Sequence, residues 1–152
     1  IALKSGTQIV HVPYPSSPAA MTAIIRGDVQ MGCLPAISAI PHSISGAVKI
    51  LAVSTDRRSP YAPDIPTLRE MGIDVEADAW NGLIAPAQTP ESIVAKIQRE
   101  VVEVLMIASV REKLAAQLME PIGSTPAEFR ARIEAEIMRW APVIRAANIR
   151  PG

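Results

Sequence analysis

Ten of the 14 prolines in this chain precede Glu91. Each proline fixes φ near −65° and removes a backbone donor, so it stops helices and is excluded from central strands. The first ninety residues are thereby restricted to short elements joined by turns. The remainder is free to run in long helices.

The short elements alternate in kind. Gln8–Tyr14 reads as a buried strand closed by prolines, and Ser17–Gly27 as a helix with a serine cap, an early proline and a terminal glycine. Val29–Leu34 is a second strand, Pro35–Ser45 a second helix and Lys49–Ser54 a third strand. Strands alternating with helices over short loops predict a parallel α/β sheet. A proline-rich loop over residues 57–66 leads into a short helix, Thr67–Met71, and Glu76–Ile84 reads as extended. A domain boundary is expected near Val75–Asp78, where the composition changes. Beyond it, helices are expected from Thr89, from Ser109 and from the capping box Thr125-Pro126-Ala127-Glu128. Ile93, Ile97, Val101 and Val104 line one face of the first. Phe129, Ile133, Ile137, Trp140 and Ile144 form the expected buried stripe of the last, with a kink near Pro142.

Composition excludes several classes of function. Fifteen basic and fifteen acidic residues cancel, so the basic excess of a nucleic-acid or anionic-membrane binder is missing. Aromatics at 3% offer little material for stacking platforms. One cysteine, Cys33, rules out an internal disulfide and a cysteine-built zinc site. Cys33 lies in an apolar run and reads as a buried structural thiol, while His11 and His42 read as core or rim histidines. A nucleophile–base pair of Cys33 with either histidine is the enzymatic alternative. No phosphate-cradling glycine loop or nucleophile elbow occurs, and no metal site or cofactor is expected.

The informative segments are the uncharged ones. Apart from His11 and His42, Ser5–Ile25 and Gln30–Val48 carry no ionisable charge at neutral pH. Each contains a strand end, a loop and a helix start, the place where parallel α/β sheets bind ligands. Free N–H groups at a helix N-terminus favour an anion without lysine or arginine. Tyr14, Ser16, Ser17 and Ala19 are the candidates of the first loop, and Leu34, Pro35 and Ala36 those of the second. Leu34 and Ala36 offer N–H groups, whereas Pro35 only shapes the turn. Trp80 is either a platform for the ligand's carbon chain or a core anchor. The plainer alternative is that Ser17 only caps its helix and the prolines only shape a turn.

His11-Val12-Pro13-Tyr14, Lys49–Ser54, Arg58-Ser59-Pro60 with Pro63-Asp64-Ile65-Pro66-Thr67, and Trp80–Pro86 with Thr89-Pro90 follow one another here. This succession resembles the tripartite tricarboxylate transporter receptors, the TctC-like or Bug family of extracytoplasmic solute-binding proteins. The chain departs from the family pattern at Pro15-Ser16-Ser17, where Lys-Gly-Gly is usual, and at Gly32-Cys33-Leu34, where polar residues are frequent. The resemblance implies a type II periplasmic-binding-protein-like fold of two α/β lobes that close like a Venus flytrap. It implies no enzymatic chemistry and a periplasmic location, with capture of a small carboxylate for a membrane permease. Residues 1–77 would be most of the second lobe, and residues 78–152 a crossover strand and helices completing the first. On this reading the chain corresponds to the later half of a receptor, and exposed faces of its C-terminal helices would favour self-association. An effector-binding domain of a transcription regulator, which has a similar two-lobed fold, is the alternative from another class.

Overall fold

Ser16 is extended, with φ −159° and ψ 158°, and its Oγ accepts the Ala19 N–H at 3.3 Å. That bond starts helix α2 (Ser17–Arg26), so the cap is Ser16 and not Ser17, which is the first helical residue. Gly27 closes α2 in the left-handed conformation at φ 80°, which a side chain would strain. The computed structural model describes residues 1–149. A single turn, α1 (Ala2–Ser5), precedes α2, and α3 (Ala36–Ile44) packs on it. The later helices are α4 (Glu91–Met106), α5 (Ala108–Ala115) and α6 (Pro126–Ala146). Thr125 and Glu128 form the expected capping box, and α6 continues through Pro142 to Ala146.

The chain divides into two packing units. One holds Ile1–Trp80 with Glu112–Glu120, and the other holds Asn81–Arg111 with the described residues from Pro121.

The expected strands are extended but do not form ladders among the described residues. Residues 8–14 are exposed save for Tyr14, Val10 at 86%, where a buried strand was expected. Of the third strand, Val53 forms a parallel bridge to Thr67, and Ser54 O accepts the Ala77 N–H at 2.7 Å. Alternating apolar residues fix an extended backbone locally, but a ladder also needs a neighbour at about 4.8 Å with its own free donors. The short helix expected at Thr67–Met71 is instead a set of turns. Thr67 is held in the bridge, with Leu68 N–H donating to Val53 O at 2.8 Å.

That bridge anchors the proline-rich loop. Thr67 is 2% exposed; its N–H donates to Glu70 Oε2 at 2.7 Å, and its Oγ1 accepts the Glu70 N–H at 3.1 Å. Arg58 Nε donates to both Glu70 oxygens at 3.0 and 2.9 Å, and its Nη1 donates to Pro63 O at 2.9 Å. Both arginines of the loop are exposed yet paired, Arg57 reaching Glu120 at 2.7 Å. The Arg58 hydrogen bonds, followed by the Thr67 N–H, hold the Glu70 carboxyl below its usual value of 4.5. A carboxyl with a depressed folded pKa stabilises fully above its unfolded value and loses that contribution as pH falls through the folded one. We expect Glu70→Gln to flatten the acid limb of a stability–pH curve below about pH 4.5. Identical acid limbs for variant and wild type would show that the latch is absent in solution.

In the second unit, α4 packs on α6. Gln98 Nε2 donates to Gly123 O at 3.4 Å, and the Phe129 ring lies directly on the backbone of Gly82. Trp140 Nε1 donates to Glu136, which also pairs with Arg139 at 3.6 Å. The apolar stripes are only partly covered. Phe129, Ile133 and Trp140 are half-buried, while Ile137 and Ile144 of the stripe expected to be buried are exposed. The fully buried residues described in the whole chain are Met21, Ala23 and Thr67. The cap of α6 and the periodicity of α4 and α6 were legible; α4, expected to be capped by Thr89, instead begins at Glu91 after Pro90 with no side-chain cap, and amphipathicity says only which face seeks cover.

Candidate functional site

Helices α2 and α3 pack together within the first unit, and each begins directly after a candidate loop. The segment between them turns back over α2. A Cβ at Gly32 would stand 2.6 Å from Ile24 Cδ1 of α2, so this backbone lies close against that helix. Glycine there is a matter of space rather than of φ.

The two helix starts differ chemically. At α2 the first-turn donors are partly satisfied, because Ser16 Oγ takes the Ala19 N–H through a long 3.3 Å bond. Ser17 and Pro18 occupy the first two helical positions, and Pro18 removes one donor without loss. At α3 the N-cap is Pro35, with φ −56° and ψ 140°, and no side chain caps the helix. Its Ser38 N–H turns back to Pro35 O at 2.9 Å, a tight first turn. Ala36 and Ile37 are the preceding first-turn donors, and Ile37 was not singled out by the sequence. A proline at the cap position, with no hydroxyl before it, is the signal that would have found it.

Tyr14, Ser17, Ala19, Leu34 and Ala36 are half-buried, and Ser16 and Pro35 are exposed. The pairing of α2 with α3 joins the two loops to one packed element pair. Trp80 is 37% exposed and is the last residue of the first stretch of that unit. Both helix starts sit in sequence free of acidic side chains. The positive ends of two helix dipoles therefore meet no local carboxylate, and each favours an anion by roughly 0.3–1 kcal/mol at an exposed position.

Other chemistry finds no support in the arrangement. Cys33 is exposed, contrary to the buried thiol expected from its apolar neighbours. Exposure follows from the missing ladder, since residues 29–34 have no adjacent strand to cover them. Neither His11 nor His42 hydrogen-bonds Cys33 among the described residues; His42 lies within α3 and His11 in the exposed extended segment. No group of three metal-binding side chains occurs among the described residues. No described helix is long and apolar enough to cross a membrane.

Known proteins resemble this chain in sequence and in fold. BugT of Bordetella pertussis is 33% identical over 144 residues, which are 94% of this chain and 44% of that protein. The structure of R. palustris Rpa4515 with adipate superposes with a TM-score of 0.88 at 31% identity, over 99% of this chain and 51% of that one. MatC (Rpa3494) from Rhodopseudomonas palustris, with bound malate, gives 0.79 at 31% identity, over 94% and 50%. The chain thus spans about half the length of these relatives. The likeness establishes a type II periplasmic-binding-protein-like α/β fold. The family model for the tripartite tricarboxylate transporter family receptor matches residues 1–149, and the chain belongs to that receptor family.

Proposed function

We propose that this chain forms part of an extracytoplasmic receptor that captures a small carboxylate and presents it to the permease of a tripartite tricarboxylate-type transporter. The observation that carries this reading is the pair of adjoining helices α2 and α3. One start is held by a long serine bond and the other has no side-chain cap, and both lie in charge-free sequence. Such a site selects an anion by hydrogen bonds and helix dipoles, and releases it readily because no ion pair must be broken. The relatives named with adipate and malate support carboxylate as the ligand class. On this reading Tyr14, Ser16, Ser17 and Ala19 face one end of the ligand with Leu34, Pro35 and Ala36, and Trp80 packs against its carbon chain. Residues 1–77 belong to the second lobe, and residues 78–152 return to the first. Location in the periplasm, transfer to a permease and the absence of catalysis are parts of the same proposal.

Titrating the 152-residue chain with adipate, malate and citrate, by calorimetry or thermal shift, tests the proposal. Saturable binding in the millimolar range, worth roughly 4 kcal/mol, is expected for a site with one wall. The corresponding neutral amides are expected to give no response. Silence toward every carboxylic acid, or equal binding of acid and amide, sinks it.

A further inference from the structure

Asparagine is a thermolabile residue because the backbone that follows it can attack its side chain. This chain has two, Asn81 and Asn148, and the structure treats them oppositely. Attack requires the nitrogen of the next residue to reach the side-chain carbonyl carbon. After Asn148 that nitrogen belongs to Ile149 and is engaged, donating to Ile144 O at 3.1 Å just past α6. The branched Ile149 side chain crowds the same approach. Asn81 is followed by Gly82, which has no side chain to obstruct it. Asn81 and Gly82 are both exposed, in a segment outside any helix or ladder. Among the described residues, neither the Asn81 amide nor the Gly82 N–H forms a hydrogen bond.

We propose that Asn81 is a self-modification site, deamidated by the Gly82 nitrogen and then opened by water to isoaspartate. The Gly82 nitrogen gives its proton to solvent base and bonds to Asn81 Cγ. The Cγ–Nδ2 bond breaks, and Nδ2 leaves as ammonia after taking a proton from solvent. The product is a cyclic imide with two carbonyl carbons. Water adds to one of them, its bond to the Gly82 nitrogen breaks, and that nitrogen regains a proton. Opening at the main-chain carbonyl leaves isoaspartate, whose backbone runs through the former side chain. Opening at Cγ leaves aspartate. Water is the only co-reactant, and nothing is oxidised or reduced.

The two products differ in what they do to Phe129. Its ring lies on the Gly82 backbone, where an added Cβ would stand 2.1 Å from Cζ. Isoaspartate lengthens the main chain by one carbon directly before that glycine, and so shifts it from beneath the ring. Aspartate brings the same charge without the extra carbon and leaves the seat in place. Because Phe129 lies in the first turns of α6, only the isoaspartyl product loosens the entry of that helix.

Incubation of the folded 152-residue chain at mildly alkaline pH, followed by tryptic mapping with mass spectrometry, tests the proposal. Peptides spanning residues 70–96 and 146–152 report the two asparagines separately. The first is expected to turn from amide to acid, mostly as isoaspartate, and faster as pH rises. The second is expected to keep its amide. Asn81→Gln, whose longer side chain closes a ring far more slowly, is expected to lose the modification with helicity unchanged by circular dichroism. The isoaspartyl form, separated chromatographically, is expected to unfold at lower urea than the unmodified chain or freshly prepared Asn81→Asp. An unaltered amide at Asn81 overturns the proposal, as does aspartate without isoaspartate or equal conversion of the two asparagines. Equal urea midpoints for the isoaspartyl form and Asn81→Asp overturn the unseating of Phe129.

Discussion

Gly82→Ala is expected to destabilise the second packing unit by about 1–3 kcal/mol, the range for forcing one extra methyl into an occupied position. A Cβ at Gly82 would stand 2.1 Å from Phe129 Cζ, and 2.7 and 2.8 Å from the two Cε atoms. All three distances are below any real Cβ contact, so the ring must leave. Phe129 is the only phenylalanine in the chain, and it lies in the first turns of α6, next to the capping box. Moving it uncovers an aromatic face and disturbs the entry of the longest helix. The φ of Gly82 lies outside the left-handed region, so the requirement is for space alone. Phe129→Leu, which replaces the ring by a shorter branched chain, is expected to destabilise by itself yet to make Gly82→Ala nearly neutral. Non-additivity of that size is the mark of two groups in contact. Urea unfolding followed by circular dichroism measures all four proteins, and strictly additive effects would show that the ring does not rest on this glycine in solution.

The helices were legible because their signals are local. Serine or threonine before proline, an acid three residues later and a periodic apolar stripe are each satisfied within one turn or two. Thr125 to Glu128 is the clearest instance, and the cap of α2 was displaced by one residue only because two serines adjoin. The extended segments were legible as extended but not as paired. Pairing depends on residues far along the chain, and among the described residues the third strand has found Thr67 for Val53 and Ala77 for Ser54 but no ladder. The exposure of Cys33 follows from the same cause. The seat of Phe129 on Gly82 has no sequence signature, since an isolated glycine in an extended run marks a bend, a bulge or a close approach equally. Of the candidate site, the two loops were visible through their prolines and serines. The unequal capping of their helices was not, because a proline cap is recognised only once the first helical residue is fixed.

That unequal capping separates the two serines by experiment. Ser16→Ala removes the N-cap of α2 and is expected to cost about 0.5–2 kcal/mol of stability. It also frees the Ala19 N–H, which Ser16 Oγ holds at 3.3 Å, and a carboxylate at this helix start can take up that donor. Loss of one hydroxyl and gain of one amide donor offset each other, so affinity is expected to change little. Ser17 is the first helical residue, and its side chain caps nothing. Ser17→Ala is therefore expected to leave stability within about 0.5 kcal/mol of wild type. If its hydroxyl donates to the bound carboxylate, affinity falls by about tenfold or more, the worth of one hydrogen bond to a charged group. Thermal unfolding and titration with adipate or malate on the two variants measure both quantities. The expected pattern is a double dissociation: Ser16 governs stability, Ser17 governs affinity. Unchanged affinity in Ser17→Ala would remove that hydroxyl from the site and leave the backbone donors of Ala19, Ala36 and Ile37 to hold the anion. A fall in affinity confined to Ser16→Ala would mean that the cap hydroxyl turns from the Ala19 N–H to the ligand on binding.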